Sequence, residues 1–153
     1  NSSINLGLYH NDNLVCLMTL GKSRLNKSYE YEIYRFCNLL NTNVIGGASK
    51  LLKYFERNYN PKSIISYANR RWSRGNLYYK LGFDLLNISD PNFFYFKQVN
   101  SDYKLYSRLK FQKFKLESEL EIYDSNLSAR ENMINNNYRI IYDSGNLAFG
   151  KQY

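Results

Sequence analysis

The sequence predicts one domain of mixed α/β (α+β) class, and three observations carry that expectation. Short β-rich runs, INLGLY at 4–9 and LVCLMTL at 14–20, are joined by the turn-forming stretch His10-Asn11-Asp12-Asn13. Residues 29–36, YEYEIYRF, alternate with a period of two: Tyr29, Tyr31, Ile33 and Arg35 fall on one face, Glu30, Glu32, Tyr34 and Phe36 on the other. After the pair Gly46-Gly47 the period becomes helical. Leu51, Leu52 and Phe55 share an apolar side there, with Lys50, Lys53 and Arg57 spaced for solvent.

Asn58-Tyr59-Asn60-Pro61 stops that helix, and KSIISYA at 62–68 reads as a buried strand. Ser73 can cap a second helix that runs through Leu81 and is closed by Gly82. Strands are expected at Phe83–Leu86 and Phe93–Lys97, separated by Ser89-Asp90-Pro91-Asn92. Residues 103–116 are basic and aromatic without a clean period. A helix is expected over Asn126–Asn135 with Ser125 or Asn126 as its cap, then a terminal strand pair, Tyr138–Tyr142 and Leu147–Phe149.

A length of 153 residues suits a single domain with its own core, and 44% hydrophobic against 22% charged residues excludes a disordered chain. No apolar run approaches the ~18–20 residues of a membrane span. The opening NSSINLGLYH lacks signal-peptide features and an initiator Met, so residues 1–153 read as the C-terminal part of a longer protein. Cys16 and Cys37 are expected to be reduced core thiols of an intracellular, cytoplasmic protein, and one His with two Cys gives no zinc set.

The net charge is +8. Residues 50–80 hold eight Lys and Arg against Glu56 alone, and residues 97–115 hold six against Asp102 alone. Such segments point to a polyanionic partner. The alternative is a solvated Lys-rich surface, since 21 Asn together with many Lys and Tyr also mark an AT-rich genome.

Within 44–50, VIGGASK, a glycine turn leads into a helix and leaves backbone N–H groups free at the positive end of its dipole. Ile45, Gly46, Gly47, Ala48, Ser49 and Lys50 are therefore candidates for holding a phosphate or pyrophosphate. The spacing fits neither the Walker loop nor the dinucleotide fingerprint, and a glycine pair is also an ordinary tight turn.

Arg70, Arg71, Trp72 and Arg74 follow a buried strand, where ligands dock in open sheets, and they combine phosphate contact with base stacking. The alternative is a loop whose arginines pair with acids and whose Trp plugs the core. Lys110 and Lys113, among aromatics from Tyr103 to Lys115, suit a nucleic-acid backbone or a simple amphipathic segment. Glu30 and Glu32 share a face, so both could project into one cleft, and Glu32 is a candidate base. No paired acids for a metal-dependent nuclease stand out, so no metal is expected within this chain.

Tyr78 to Phe83, one strand after the glycine turn, resembles the Tyr-x-x-x-Gly-Phe motif of the acyl-CoA N-acyltransferase (GNAT) superfamily, over about residues 14–97. The resemblance implies a GNAT-like acyltransferase fold: a mixed central sheet with a splayed parallel centre, flanked by helices. It also implies acetyl-CoA or another acyl-CoA as cofactor, its pyrophosphate held by the turn, and Tyr78 protonating the leaving thiolate. Asn43 departs from the family's Arg or Gln.

The strings INLGLYHNDNLVCLMTLGKSR, VIGGASKLLKYF, PKSIISYANRRWSRGNLYYKLGF and IIYDSGN resemble phage and large-virus proteins described as homing-endonuclease-like, and GNAT-like DNA-modification proteins of the Mom type. That resemblance implies a phage or viral protein in the host cytoplasm with DNA as partner. Its activity would be acyl-CoA-dependent DNA modification with Tyr78 and Asn69 as catalytic residues, beside the candidate base Glu32 of the alternating strand. The alternative is a non-catalytic DNA-binding module of an endonuclease that cuts with residues elsewhere. The family pattern has Asp at Asn69 and His at Phe114, so proton transfer at those positions is expected to be impaired.

Overall fold

A computed structural model describes residues 4–153; the first three residues of the NSSINLGLYH opening lie outside them. The elements in chain order are β1 (Ile4–His10), β2 (Asn13–Lys22), β3 (Tyr31–Asn38), α1 (Gly47–Tyr59), β4 (Ser63–Asn69), α2 (Asn76–Lys80), β5 (Asp84–Ile88), β6 (Phe93–Val99), β7 (Asp102–Ser107), a 3-10 turn (Lys113–Lys115), α3 (Leu116–Glu119), α4 (Ala129–Asn135), β8 (Arg139–Tyr142) and β9 (Asn146–Gln152). The class is mixed α+β. The chain divides into two compact units, one running to Ser89 and taking back Asn146–Tyr153, the other Asp90–Gly145.

The first unit is a six-stranded mixed sheet of order β1-β2-β3-β4-β9-β5. Asn11 and Asp12 have φ of 48° and 61°, the left-handed pair that a tight β1–β2 hairpin requires and that short polar side chains tolerate. Between β2 and β3 the register passes from Leu20↔Ile33 to Thr19↔Arg35, leaving Tyr34 as a bulged extra residue. The bulge inverts the alternation expected across 29–36. Phe36 turns to the core, and Cys37 is exposed rather than a core thiol; Cys16 alone is buried.

β3 and β4 are the parallel pair of this sheet, but they pair only from Tyr31↔Ile64 to Ile33↔Ser66. Beyond Ser66, β4 pairs with β9 through Tyr67↔Ala148 to Asn69↔Asn146. The two parallel strands therefore part and leave a fork. α1 packs Leu51, Leu52 and Phe55 into a core with Met18, Leu20, Ile64 and Phe149, as its sequence period requires. It ends on Asn60, whose N–H donates to the Glu56 carbonyl.

α2 is shorter than expected. Ser73 Oγ accepts from the Gly75 N–H and closes a turn instead of capping a helix, so the helix begins only at Asn76. Its end is as expected: Phe83 N–H donates to the Tyr78 carbonyl and Gly82 N–H to that of Tyr79, a Schellman closure around Gly82 at φ 77°.

The second unit is a three-stranded antiparallel sheet, order β7-β6-β8, over a small core of Tyr95, Phe111, Leu116 and Met133. α4 is capped by Ser128, not Ser125 or Asn126: Ser128 Oγ accepts from Glu131 N–H, and the Glu131 carboxylate accepts from Ser128 N–H. β8 and β9 are not the terminal pair the sequence suggested. β8 lies on β6 and sends Ile140 to the second core, whereas β9 lies between β4 and β5 and sends Phe149 to the first. Among the described residues no helix is long and apolar enough to cross a membrane.

Candidate functional site

The end of β3 beyond its pairing with β4, the glycine turn and α2 line one cavity. Gly46 and Gly47 start α1 for different reasons. Gly46 stands at φ 72° with nothing within 4 Å of where a Cβ would sit, so the turn needs its backbone freedom. At Gly47 a Cβ would come within 3.0 Å of Val44 and 3.1 Å of Cys16 Sγ, so its smallness lets the helix start press onto β2.

Gly47 N–H is used by the Val44 carbonyl and Lys50 N–H by that of Gly46, while among the described residues the Ala48 and Ser49 amides find no backbone acceptor outside the helix. Those two free donors belong to the first turn of a 13-residue helix, at the positive end of its dipole. Gly46, Ala48 and Ser49 line a cavity of about 330 Å³ together with Asn38, Asn43 and Lys80. Ile45 lines it too but is 94% exposed. Asn38 contributes a buried side-chain oxygen without a hydrogen-bond partner.

Lys50 lies elsewhere, in the groove between α1 and β1. The cation beside Ser49 is Lys80, which reading the sequence missed: it belongs to the helix two elements later, and only the packing of α2 against the turn brings it there. The free amides and Lys80 are donors that suit an anion, whereas the unpartnered Asn38 oxygen is an acceptor that suits an N–H group.

On α2, Leu77 lines this cavity while the next residue, Tyr78, reaches the fork. Its ring stacks on Phe149 at 4.8 Å and meets Phe83 edge-on at 5.9 Å. Its hydroxyl lies 2.9 Å from Ser66 Oγ, on the last residue of β4 that pairs with β3.

The two carboxylates of the 29–36 run do not enter one cleft. Glu32 is 1% exposed; one oxygen accepts from the Arg24 backbone N–H and the other from its guanidinium. The guanidinium also lies 4.1 Å over the Tyr34 ring. Burial pushes the Tyr67 hydroxyl upward, and the charge of the neighbouring Glu32 adds to it. Glu30 instead accepts from Lys62 N–H, which ties β3 to the start of β4.

Asn69 accepts from Arg71 N–H through its side chain, and its carbonyl accepts from the Trp72 and Ser73 N–H groups, so it shapes the following loop. Arg70, Arg71, Trp72 and Arg74 all lie at the surface. Trp72 does not plug the core: it is 77% exposed, with the Arg71 guanidinium 4.7 Å from its ring.

In the second unit Lys110 is 3.1 Å from Glu119, which pulls its titration upward, and Lys113 is exposed on the 3-10 turn beside Phe114. Charge separates by unit. The first holds 13 Lys and Arg against 5 Asp and Glu, the second eight of each. The net +8 therefore belongs to the first unit alone, and the basic run at 97–115 is offset by acids of its own unit. No three His, Cys, Asp or Glu among the described residues gather as a metal site. The chain matches no known family model and no curated protein.

Proposed function

We propose that the first unit is a GNAT-like, acyl-CoA-dependent transferase acting on DNA. The observation that carries this reading is the fork between β3 and β4, with the glycine turn of α1 along one side and the Tyr78 hydroxyl at its apex. A bound acyl-CoA supplies an activated thioester carbonyl. The Ala48 and Ser49 amides and Lys80 hold the negative charge of its pyrophosphate, and the Asn38 oxygen is an acceptor for an amide N–H along the cavity wall. Tyr78 Oη keeps a proton at the fork, available to a leaving group. Arg70, Arg71, Trp72 and Arg74 dock the DNA, supported by the charge of this unit.

Millimolar acetyl-CoA should raise the melting temperature of the chain by mass action, and labelled acyl groups should appear on DNA. Absence of both effects overturns the reading.

The occupied Glu32 favours a second reading, a DNA-binding module without chemistry, because both its oxygens already accept hydrogen bonds. Duplex binding that weakens steeply with salt and with Arg70→Ala/Arg71→Ala, with no response to acetyl-CoA, is the result expected on that reading.

A further inference from the structure

We propose that the outer edge of β1 and the groove beside it form a docking site for an extended acidic segment of a partner protein, which adds a seventh strand to the six-stranded sheet. This inference is independent of acyl transfer. β1 is the outermost strand, so every second residue turns its N–H and C=O away from β2, towards solvent. Proteins usually guard such an edge with Lys, Pro or an inward charge. The strand INLGLYH has none of these, and its one titratable cation, His10, stands at the far end. The register shift against β2 falls between Leu8 and Tyr9, and among the described residues no strand pairs with the other side of Ile4 to Leu8.

That same stretch borders a cavity of about 530 Å³. Asn5 to Leu8 form one wall, and Lys50 and Tyr54 of α1 form the other. A groove between a free strand edge and a helix is the geometry of peptide capture by strand addition: main-chain hydrogen bonds supply affinity, and alternate side chains of the incoming strand drop into the groove.

Charge selects the occupant. Lys50, Tyr54 and Arg57 follow one another at helical spacing along the exposed side of α1, without an acid among them. Glu56, the one carboxylate of that helix, is engaged by Lys151 and by the Tyr153 hydroxyl. A second copy of this chain would bring another unit with 13 basic against 5 acidic residues, so edge-to-edge pairing of copies is repelled and an acidic strand is attracted.

The test uses the full chain and the blocked peptide Glu-Val-Glu-Val-Glu-Val-Glu, followed by fluorescence anisotropy and amide hydrogen exchange. The expected result is saturable binding that slows exchange in Ile4–Leu8. It should weaken at least tenfold when alternate peptide nitrogens are methylated at unchanged charge. Lys50→Glu places a carboxylate near a helix N-terminus, where it is tolerated, and should shift preference towards the corresponding Lys-Val peptide. Equal binding of the methylated peptide, unchanged exchange in β1, or a concentration-dependent dimer that protects the same amides without peptide would each overturn the proposal. Acetyl-CoA stabilisation is read separately, so failure of this site leaves the transferase reading standing.

Discussion

Tyr78 Oη and Ser66 Oγ lie 2.9 Å apart, on the last residue of β4 that still pairs with β3. Ser66 Oγ is also 3.2 Å from the Ile33 carbonyl, and its single proton serves only one of these acceptors at a time. When Ser66 donates to Tyr78, the phenol proton is free to point into the fork. Tyr78→Phe keeps the stack on Phe149, so unfolding in urea should show a loss of only about 1 kcal/mol. On the transferase reading, the rate of acyl transfer should fall by about 10²–10⁴-fold. A transfer rate close to that of the unaltered chain removes Tyr78 from the chemistry.

The two glycines of the turn should respond differently to alanine. Gly46→Ala meets no atom but holds a left-handed conformation, a cost of about 1–2 kcal/mol. Gly47→Ala pushes on Val44 and Cys16 and should cost about 1–3 kcal/mol through overpacking. Denaturation curves of the two variants, with and without acetyl-CoA, separate the strained turn from the compressed helix start.

Glu32 behaves in this geometry as a structural anion. Glu32→Gln weakens the attachment of Arg24 and should destabilise the chain by about 1–3 kcal/mol, less than a fully enclosed pair because the Arg24 side chain is 57% exposed. On the transferase reading, transfer by the remaining folded protein should be unchanged. A large loss of transfer at unchanged stability would instead make Glu32 the base.

Much of the first unit was legible in the sequence because its signals are local. The Asn11-Asp12 turn, the α1 period, the Asn60 stop and the Gly82 closure all depend on neighbours a few residues away. The Ser128-x-x-Glu131 capping pair is equally local, and it, not the expected Ser125 or Asn126, starts α4. What could not be read was non-local. The bulge at Tyr34 depends on the register with β2, and it alone decides that Phe36 and not Cys37 faces the core. The place of β9 depends on β4 and β5, some 80 and 60 residues earlier. Of the site, the glycine turn and Tyr78 were visible as motifs. Lys80 beside Ser49 and the Arg24 clamp on Glu32 are products of packing.

Acid should loosen the second unit at one identifiable point. Hydrogen bonds from Ser128 hold the Glu131 carboxyl below its ordinary range. A depressed folded value means that the cap's contribution is present above the unfolded value and is lost as pH falls through the folded one. Exchange of the amides in Ala129–Asn135 should accelerate in that acidic window, and Glu131→Gln should flatten the dependence.

The second unit should be removable. Ser89 N–H donates to the Asn146 carbonyl at 2.9 Å, and Asn146 N–H donates to Ser89 Oγ at 2.8 Å, so the chain leaves and re-enters the first unit at adjacent points. Replacing Asp90–Gly145 by an Asn-Gly turn would make β5 and β9 an ordinary hairpin. Circular dichroism and a dispersed amide spectrum should report a folded first unit that retains any response to acetyl-CoA; a collapsed spectrum would refute this.

The position of β9 also sets when the protein can be finished. The slot between β4 and β5 is filled by residues 146–152, which are synthesised after both of the strands they join, and Phe149 supplies the ring on which Tyr78 rests. Until then β4 and β5 wait as two unpaired edges, and the whole of Asp90–Gly145 is synthesised in the interval. A nascent chain stalled before Asn146 therefore exposes both edges and an unfinished core, the state in which newly made sheets are most open to aggregation and to chaperones.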